Sequence, residues 1–203
     1  MPPASRPLPM FAAEPPQEPL PYGGWAEALG ARFAEAAEEN IDVAQIVWFP
    51  DRTWNDRTYV PATAPAGDGE VFGYVSYTRV HAGAEAIDFT AVADFTEETA
   101  ANNPDWALDL SDEEIGQWRG PEGRRGIVTL VWGVSMVANG EAATAELGET
   151  TTDQCTLVDE RFTLISLDAY ADEYVEVRLY GGRGAELARE SLYEDDEEQQ
   201  DDG

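Results

Sequence analysis

Hydrophobic positions along the chain recur first at helical spacing and afterwards at strand spacing. Trp25, Leu29, Phe33 and the pair Ala36-Ala37 follow one another at intervals of three and four, while Glu27, Glu35, Glu38 and Glu39 occupy the rest of the wheel. That pattern predicts an amphipathic helix opened by Tyr22-Gly23-Gly24, its Trp25–Phe33 stripe packed on a sheet. Beyond it, strand signals dominate. Residues 41–49 are rich in Ile and Val and stop at Pro50. Residues 57–63 read as a short strand in which Pro61 demands an edge or a bulge.

A turn at 65–69 leads into the β-branched and aromatic run 71–80. In 87–95 the residues Ile87, Phe89, Ala93 and Phe95 share one face, as in a half-buried antiparallel strand. Residues 127–138 are apolar at both alternations, which predicts a central strand. Asn139-Gly140 then predicts a two-residue hairpin to a partner at 141–147. Runs at 156–167, 174–180 and 186–193 continue the rhythm, the last two joined by Gly181-Gly182-Arg183-Gly184.

The polar stretch 96–125 interrupts this pattern. Asn102-Asn103-Pro104 and Gly120-Pro121 break it, and Ser111-Asp112-Glu113-Glu114 ahead of Ile115 has the form of a capping box. It is expected to be a long inserted loop carrying a short helix, a type of segment in which function concentrates. Many short strands without strand–helix alternation predict a mainly β fold: an antiparallel β-sandwich or flattened barrel with one N-terminal amphipathic helix packed on it. An α+β two-layer arrangement is the alternative.

Composition sets the boundaries. Prolines at 2, 3, 7, 9, 15, 16, 19 and 21 predict a disordered, extended arm over 1–21. From 194 onward the chain is almost wholly Asp, Glu and Gln, a disordered acidic tail. One domain over 22–193 lies between them. The arm has no continuous apolar run, so it does not read as a signal peptide, and no stretch reaches the length of a membrane span.

Charge changes the picture most. Asp and Glu number 41 against 12 cations, all of them Arg, for a net charge of −29. Such a surface repels phosphate backbones and anionic lipid, so direct binding to nucleic acid or membrane is not expected. Three origins compete: adaptation to a salt-rich cytoplasm, an acidic face for a basic partner, and mimicry of DNA. The one cysteine, Cys155, has no disulfide partner in the chain and reads as a small buried hydrophobe. That suits a cytoplasmic location.

Three clusters carry candidate chemistry. Asp51-Arg52-Thr53-Trp54 recurs as Asp56-Arg57-Thr58-Tyr59, with Trp48 just upstream. Aromatics beside Arg forks are what a ring, sugar or carboxylate site would use, which makes Trp48, Arg52, Trp54, Arg57 and Tyr59 the candidate ligand set. Against this stands ordinary stacking of Arg on aromatics at the mouth of a sheet. Arg119, Arg124 and Arg125 gather a quarter of the cations in one Gly-rich turn, a candidate anion site or a cluster paired with neighbouring carboxylates. Asp168, Asp172 and Glu173 form a weak candidate for a cation; apart from it no metal set is read, and no cofactor motif.

The sequence therefore supports a soluble acidic binding module, non-catalytic, for a small ligand or a protein partner. A structural protein that engages a basic partner through its acidic surface is one alternative. An enzyme working through carboxylates, Tyr and Arg without a metal is another.

Overall fold

A computed structural model of the chain describes residues 13–119, 123–170 and 172–192. The first twelve residues of the Pro-rich arm and the acidic tail lie outside the described residues. Helix α1 spans Gly23–Ala36. Strands β1 Val47–Trp48, β2 Arg52–Trp54, β3 Arg57–Ala66, β4 Gly69–Thr78, β5 Ile87–Thr96 and β6 Leu108–Arg119 follow. Next come β7 Arg125–Ser135, β8 Gly140–Leu147, β9 Thr150–Thr156, β10 Arg161–Asp168, β11 Val175–Gly181 and β12 Glu186–Ser191.

The strands build three antiparallel sheets, none closed into a barrel. The first runs β1-β3-β4-β5, with β2 also paired to β3; the second runs β10-β7-β6; the third runs β12-β11-β8-β9. Strict alternation of side chains assigns each face. Leu29 and Phe33 of α1 meet Val60, Ala62, Ala64, Val71 and Val75 on one face of the first sheet. Its other face, with Tyr59 and Tyr74, meets Val128, Leu130, Trp132, Ile165 and Leu167 of the second. Leu108, Val131, Phe162 and Leu164 on the far side of the second sheet meet Ala143, Ala145, Val175, Val177 and Leu179 of the third. The molecule is a sandwich extended by one sheet, with the helix outside. Strand β7 is the middle strand of the middle sheet, which is why both of its faces are apolar.

Several expectations need correction. The strand expected over 41–49 shrinks to β1, because the Asp42 carboxylate accepts from Ala44 N–H at 3.0 Å and winds Val43–Gln45 into a 3-10 turn. That turn lies hard against α1: a Cβ on Gly30 would come within 2.6 Å of Val43 Cγ1. Strand β3 is longer than 57–63 and is interior. Pro61 is accommodated there because β1 pairs at Trp48↔Ala62 and β2 at Arg52↔Tyr59, so three residues oppose two. Phe49 N–H donates to Pro61 O across this bulge at 3.0 Å.

The segment expected to be a loop with a capped helix contains β6, the full edge strand of the second sheet. Ser111, Asp112, Glu113 and Glu114 lie within that strand, not in a helical turn. Asn139, at φ 68°, makes a turn, but β7 and β8 are not hairpin partners; the chain leaves the second sheet there and enters the third. The described part of the arm is held on the domain: Glu14 N–H donates to Thr53 O at 2.8 Å. No helix among the described residues is long and apolar enough to cross a membrane.

Candidate functional site

The duplicated tetrapeptide folds into the two arms of one hairpin. Asn55 and Asp56, both with positive φ (51° and 63°), make the turn, and Arg52↔Tyr59, Thr53↔Thr58 and Trp54↔Arg57 pair across it. The Thr53 and Thr58 hydroxyls lie 2.8 Å apart. Period-2 alternation separates the hairpin into two chemistries. Arg52, Trp54, Arg57 and Tyr59 face the second sheet, while Asp51, Thr53 and Thr58 face the helix side.

The inward set is largely core. Arg52 is 2% exposed and forms an ion pair with Asp153 of β9. Tyr59 is 5% exposed and meets Tyr74 edge-on at 5.4 Å; burial pushes both hydroxyls up. The Trp54 ring covers Gly116 of β6, where a Cβ would come within 3.0 Å of it. Arg57 reaches Ser76 Oγ at 3.1 Å and Asp88 O at 3.0 Å, and pairs with the Asp88 carboxylate. Trp48 belongs to the opposite face, buried against Phe33 with ring centroids 6.4 Å apart. The structure thus brings Arg52, Trp54, Arg57 and Tyr59 onto one face and leaves Trp48 out. It offers no common open surface to all five.

The outward set lines a groove of about 310 Å³. Its walls are the arm (Glu14, Gln17, Glu18), the hairpin (Asp51, Thr53, Asp56, Thr58) and the chain from Tyr77 to Gly83. Asp51 organises it. Its carboxylate accepts from Gln17 N–H at 3.1 Å and Glu18 N–H at 3.2 Å, so the arm is tied down by a side chain only 5% exposed. Burial pushes that carboxyl up, opposed by the two arm N–H groups. Glu18 in turn pairs with Arg79 at 2.5 Å, and the Arg79 guanidinium lies over Tyr77 and Trp25, 5.0 and 5.7 Å from their centroids. The Tyr77 hydroxyl is pushed up to about 12, chiefly by burial. His81 Nδ1 lies 3.0 Å from Ala82 O at the rim. Glu18 is paired and Asp51 is engaged by the arm; Asp56 is exposed on the groove, and the exposed Glu14 carboxylate accepts from the Gln17 side-chain amide at 3.2 Å.

The other candidates fare differently. Arg119 and Arg125 are direct cross-strand neighbours at the β6–β7 tip, with Arg124 beside them, and none has an ion pair among the described residues. The weak cation candidate is not assembled: among the described residues no three Asp, Glu, His or Cys side chains come together as a metal needs. Asp168 is spent on its own turn, accepting from Ala169 N–H at 2.8 Å and Val175 N–H at 2.9 Å. Cys155 has its thiol pushed up to about 11 by burial, the opposite of an activated nucleophile.

One cluster escaped sequence reasoning. Glu70 of β4 and Asp109 and Ser111 of β6 meet Trp132 in a cleft between the first two sheets, about 20 Å³ in volume. Burial, then the charge of Asp109, push the Glu70 carboxyl up to about 7. Trp132 Nε1–H is buried there without a partner among the described residues. The only sequence signal was the alternation of Leu108 and Leu110 with Asp109 and Ser111, masked by polar composition.

Comparison of the chain with protein-family models, with curated proteins and with solved structures returned no match.

Proposed function

We propose that the protein is a non-catalytic binding module whose groove between the arm, the β2–β3 hairpin and the Arg79–Gly83 segment takes a cationic group, a guanidinium or an ammonium. The observation that carries this reading is the groove itself. Three separate segments converge on it, and each contributes polar side chains while the apolar ones of the same hairpin turn inward. Its wall is acidic within a chain of net charge −29, so cations concentrate there and anions do not. The same field disfavours nucleic acid and anionic lipid as partners. A cytoplasmic setting, supported by the single thiol, completes the reading.

Tyr59 is a core side chain, so Tyr59→Ala would unfold as much as it would unbind. Glu14 and Asp56 are exposed on the groove and serve better. The test is calorimetric titration of the full chain with argininamide and with spermidine at low and at high salt. Binding that weakens several-fold in Glu14→Gln/Asp56→Asn, with an unchanged melting temperature, supports the reading. Equal binding by the wild type and this double variant would place any cation elsewhere on the acidic surface.

A further inference from the structure

The cleft between Glu70, Asp109 and Trp132 stands apart from the groove and is built by strand pairing. Ser111 of β6 lies directly opposite Trp132 of β7, and Asp109 lies opposite Val134. Side-chain alternation therefore puts all four on the face that meets the first sheet. Glu70 of β4 and Thr63 of β3 reach the cleft from that sheet. Phe72, two residues beyond Glu70, lies with its ring centroid 6.4 Å from that of Trp132.

Trp132 is completely buried, and its Nε1–H has no partner among the described residues, although two carboxyl groups line the same cleft. Buried donors are nearly always paired, with protein or with ordered water. Whatever satisfies this one must offer an acceptor to the indole and donors to the carboxylates. A metal ion or an ammonium offers no acceptor, and an anion would be repelled by Glu70 and Asp109. A hydroxyl-bearing molecule meets both demands, and size decides which one. The cleft offers about 20 Å³. A single water needs roughly 10–15 Å³ of such space and about two to four polar partners, so nothing larger than water enters. Water also suits both states of Glu70, whose carboxyl is pushed up to about 7, first by burial. Its hydrogens serve the carboxylate, and its oxygen serves the carboxylic acid.

We propose that this cleft binds one ordered water, which accepts from Trp132 Nε1–H and bridges it to the carboxyl groups of Glu70 and Asp109. The three residues stand on β7, β4 and β6, so the water joins the first sheet to the second where their facing side chains are polar.

The experiment is a crystal structure of the full chain, grown without ammonium salts and at a resolution that orders buried waters. The expected result is one peak about 2.7–3.2 Å from Trp132 Nε1 and at the same range from an oxygen of Glu70 and an oxygen of Asp109. A direct bond from Nε1 to a protein oxygen, with no peak between them, overturns the proposal. So does a water that touches the indole but not both carboxyl groups. A peak about 2.3–2.6 Å from the carboxylate oxygens is a cation and overturns it as well. In solution the same water should give a cross-relaxation peak between Trp132 Hε1 and the water resonance, recorded above the titration of Glu70. That peak should persist in Thr63→Val/Ser111→Ala, which removes the neighbouring hydroxyl protons. Its loss in the folded variant would assign it to those hydroxyls and sink the three-residue bridge.

Discussion

Arg52 and Asp153 form a buried ion pair that joins the first sheet to the third. Arg52 stands on β2 of the first sheet and Asp153 on β9 of the third, 101 residues apart, and both are almost completely buried. Asp153 Oδ2 also accepts from Ile165 N–H at 2.9 Å, and Ile165 belongs to β10 of the second sheet. Strand β10 is an edge strand, so that N–H points away from its own sheet and would be orphaned without the carboxylate. One carboxylate therefore ties all three sheets at a single point.

Breaking this tie from either side should be costly. Arg52→Met leaves Asp153 buried without its cation, and a broken buried pair costs about 3–5 kcal/mol. Asp153→Leu strands the guanidinium and also the Ile165 N–H, adding about 1–3 kcal/mol for the orphaned donor. The double variant Arg52→Met/Asp153→Leu should recover part of the loss, since neither charge is then buried alone. Urea unfolding of the three variants measures this. A loss below about 1 kcal/mol in Arg52→Met would show the pair to be solvated and the tie unimportant.

Gly73 sits in β4 with its Cα facing β5, where an added Cβ would come within 2.1 Å of Val92 O and 2.9 Å of Ala93 Cα. Both obstacles are backbone, so no side chain can swing away. Gly73→Ala must push β5 off the sheet and disturb the Phe72↔Asp94 and Tyr74↔Val92 pairings. We expect a loss of more than about 3 kcal/mol and faster amide exchange confined first to β5, the edge of the first sheet. Unchanged exchange in β5 would contradict this packing.

What could be read from the sequence was the part governed by a single apolar face. The α1 stripe of Trp25, Leu29 and Phe33 and the doubly apolar β7 announce themselves because each satisfies one period without competition. Strand β6 does not, since the face it turns to the first sheet carries Asp109, Ser111 and Glu113, polar residues that imitate a loop. Asn139 signalled a turn correctly, but a positive φ specifies only the bend and not which strand the next one joins. The duplication at 51–59 was visible, yet its residues were weighed by type. Facing decides their use: a hairpin with an Asn55-Asp56 turn sends Arg52, Trp54, Arg57 and Tyr59 toward the second sheet and Asp51, Thr53 and Thr58 toward the groove. The second sheet, which takes up those buried positions, begins only at Leu108, 49 residues beyond Tyr59, and could not be inferred locally.

Glu70 should make stability fall as pH rises through neutrality. Its carboxyl lies near the ordinary 4.5 when unfolded and is pushed up to about 7 in the fold, by burial first and then by Asp109. Between those values the folded state binds more protons than the unfolded one, so its contribution is complete below about 4.5 and is lost as pH rises through about 7. The full shift corresponds to at most about 3 kcal/mol; partial exposure of the carboxyl reduces it to on the order of 1–2 kcal/mol. Glu70→Gln removes the ionisation, so the variant should show a flatter profile over this window and exceed the wild type in stability above it. Parallel profiles for the two proteins would assign the pH dependence to other carboxylates.

Salt should act on the whole molecule. At net charge −29 the folded chain repels itself, and its counterweights are few, because most of its described ion pairs involve groups that are partly exposed. Molar salt shortens the screening length from about 10 Å to about 3 Å and removes most of that repulsion, while the buried Arg52–Asp153 pair keeps its strength. Thermal unfolding followed from dilute buffer to molar KCl should therefore show a melting temperature that climbs steeply with salt. For a domain of this size a rise of about 10 °C corresponds to about 3 kcal/mol. If the protein unfolds in dilute buffer and folds only in concentrated KCl, the acidity is adaptation to a salt-rich solvent, and cation binding at the groove must be measured against that background. If it is already stable in dilute buffer and the melting temperature hardly moves, the fold tolerates its charge without screening. The acidic surface is then free to act on a basic partner at ordinary ionic strength, and the groove bounded by Glu14 and Asp56 becomes the first place to map one.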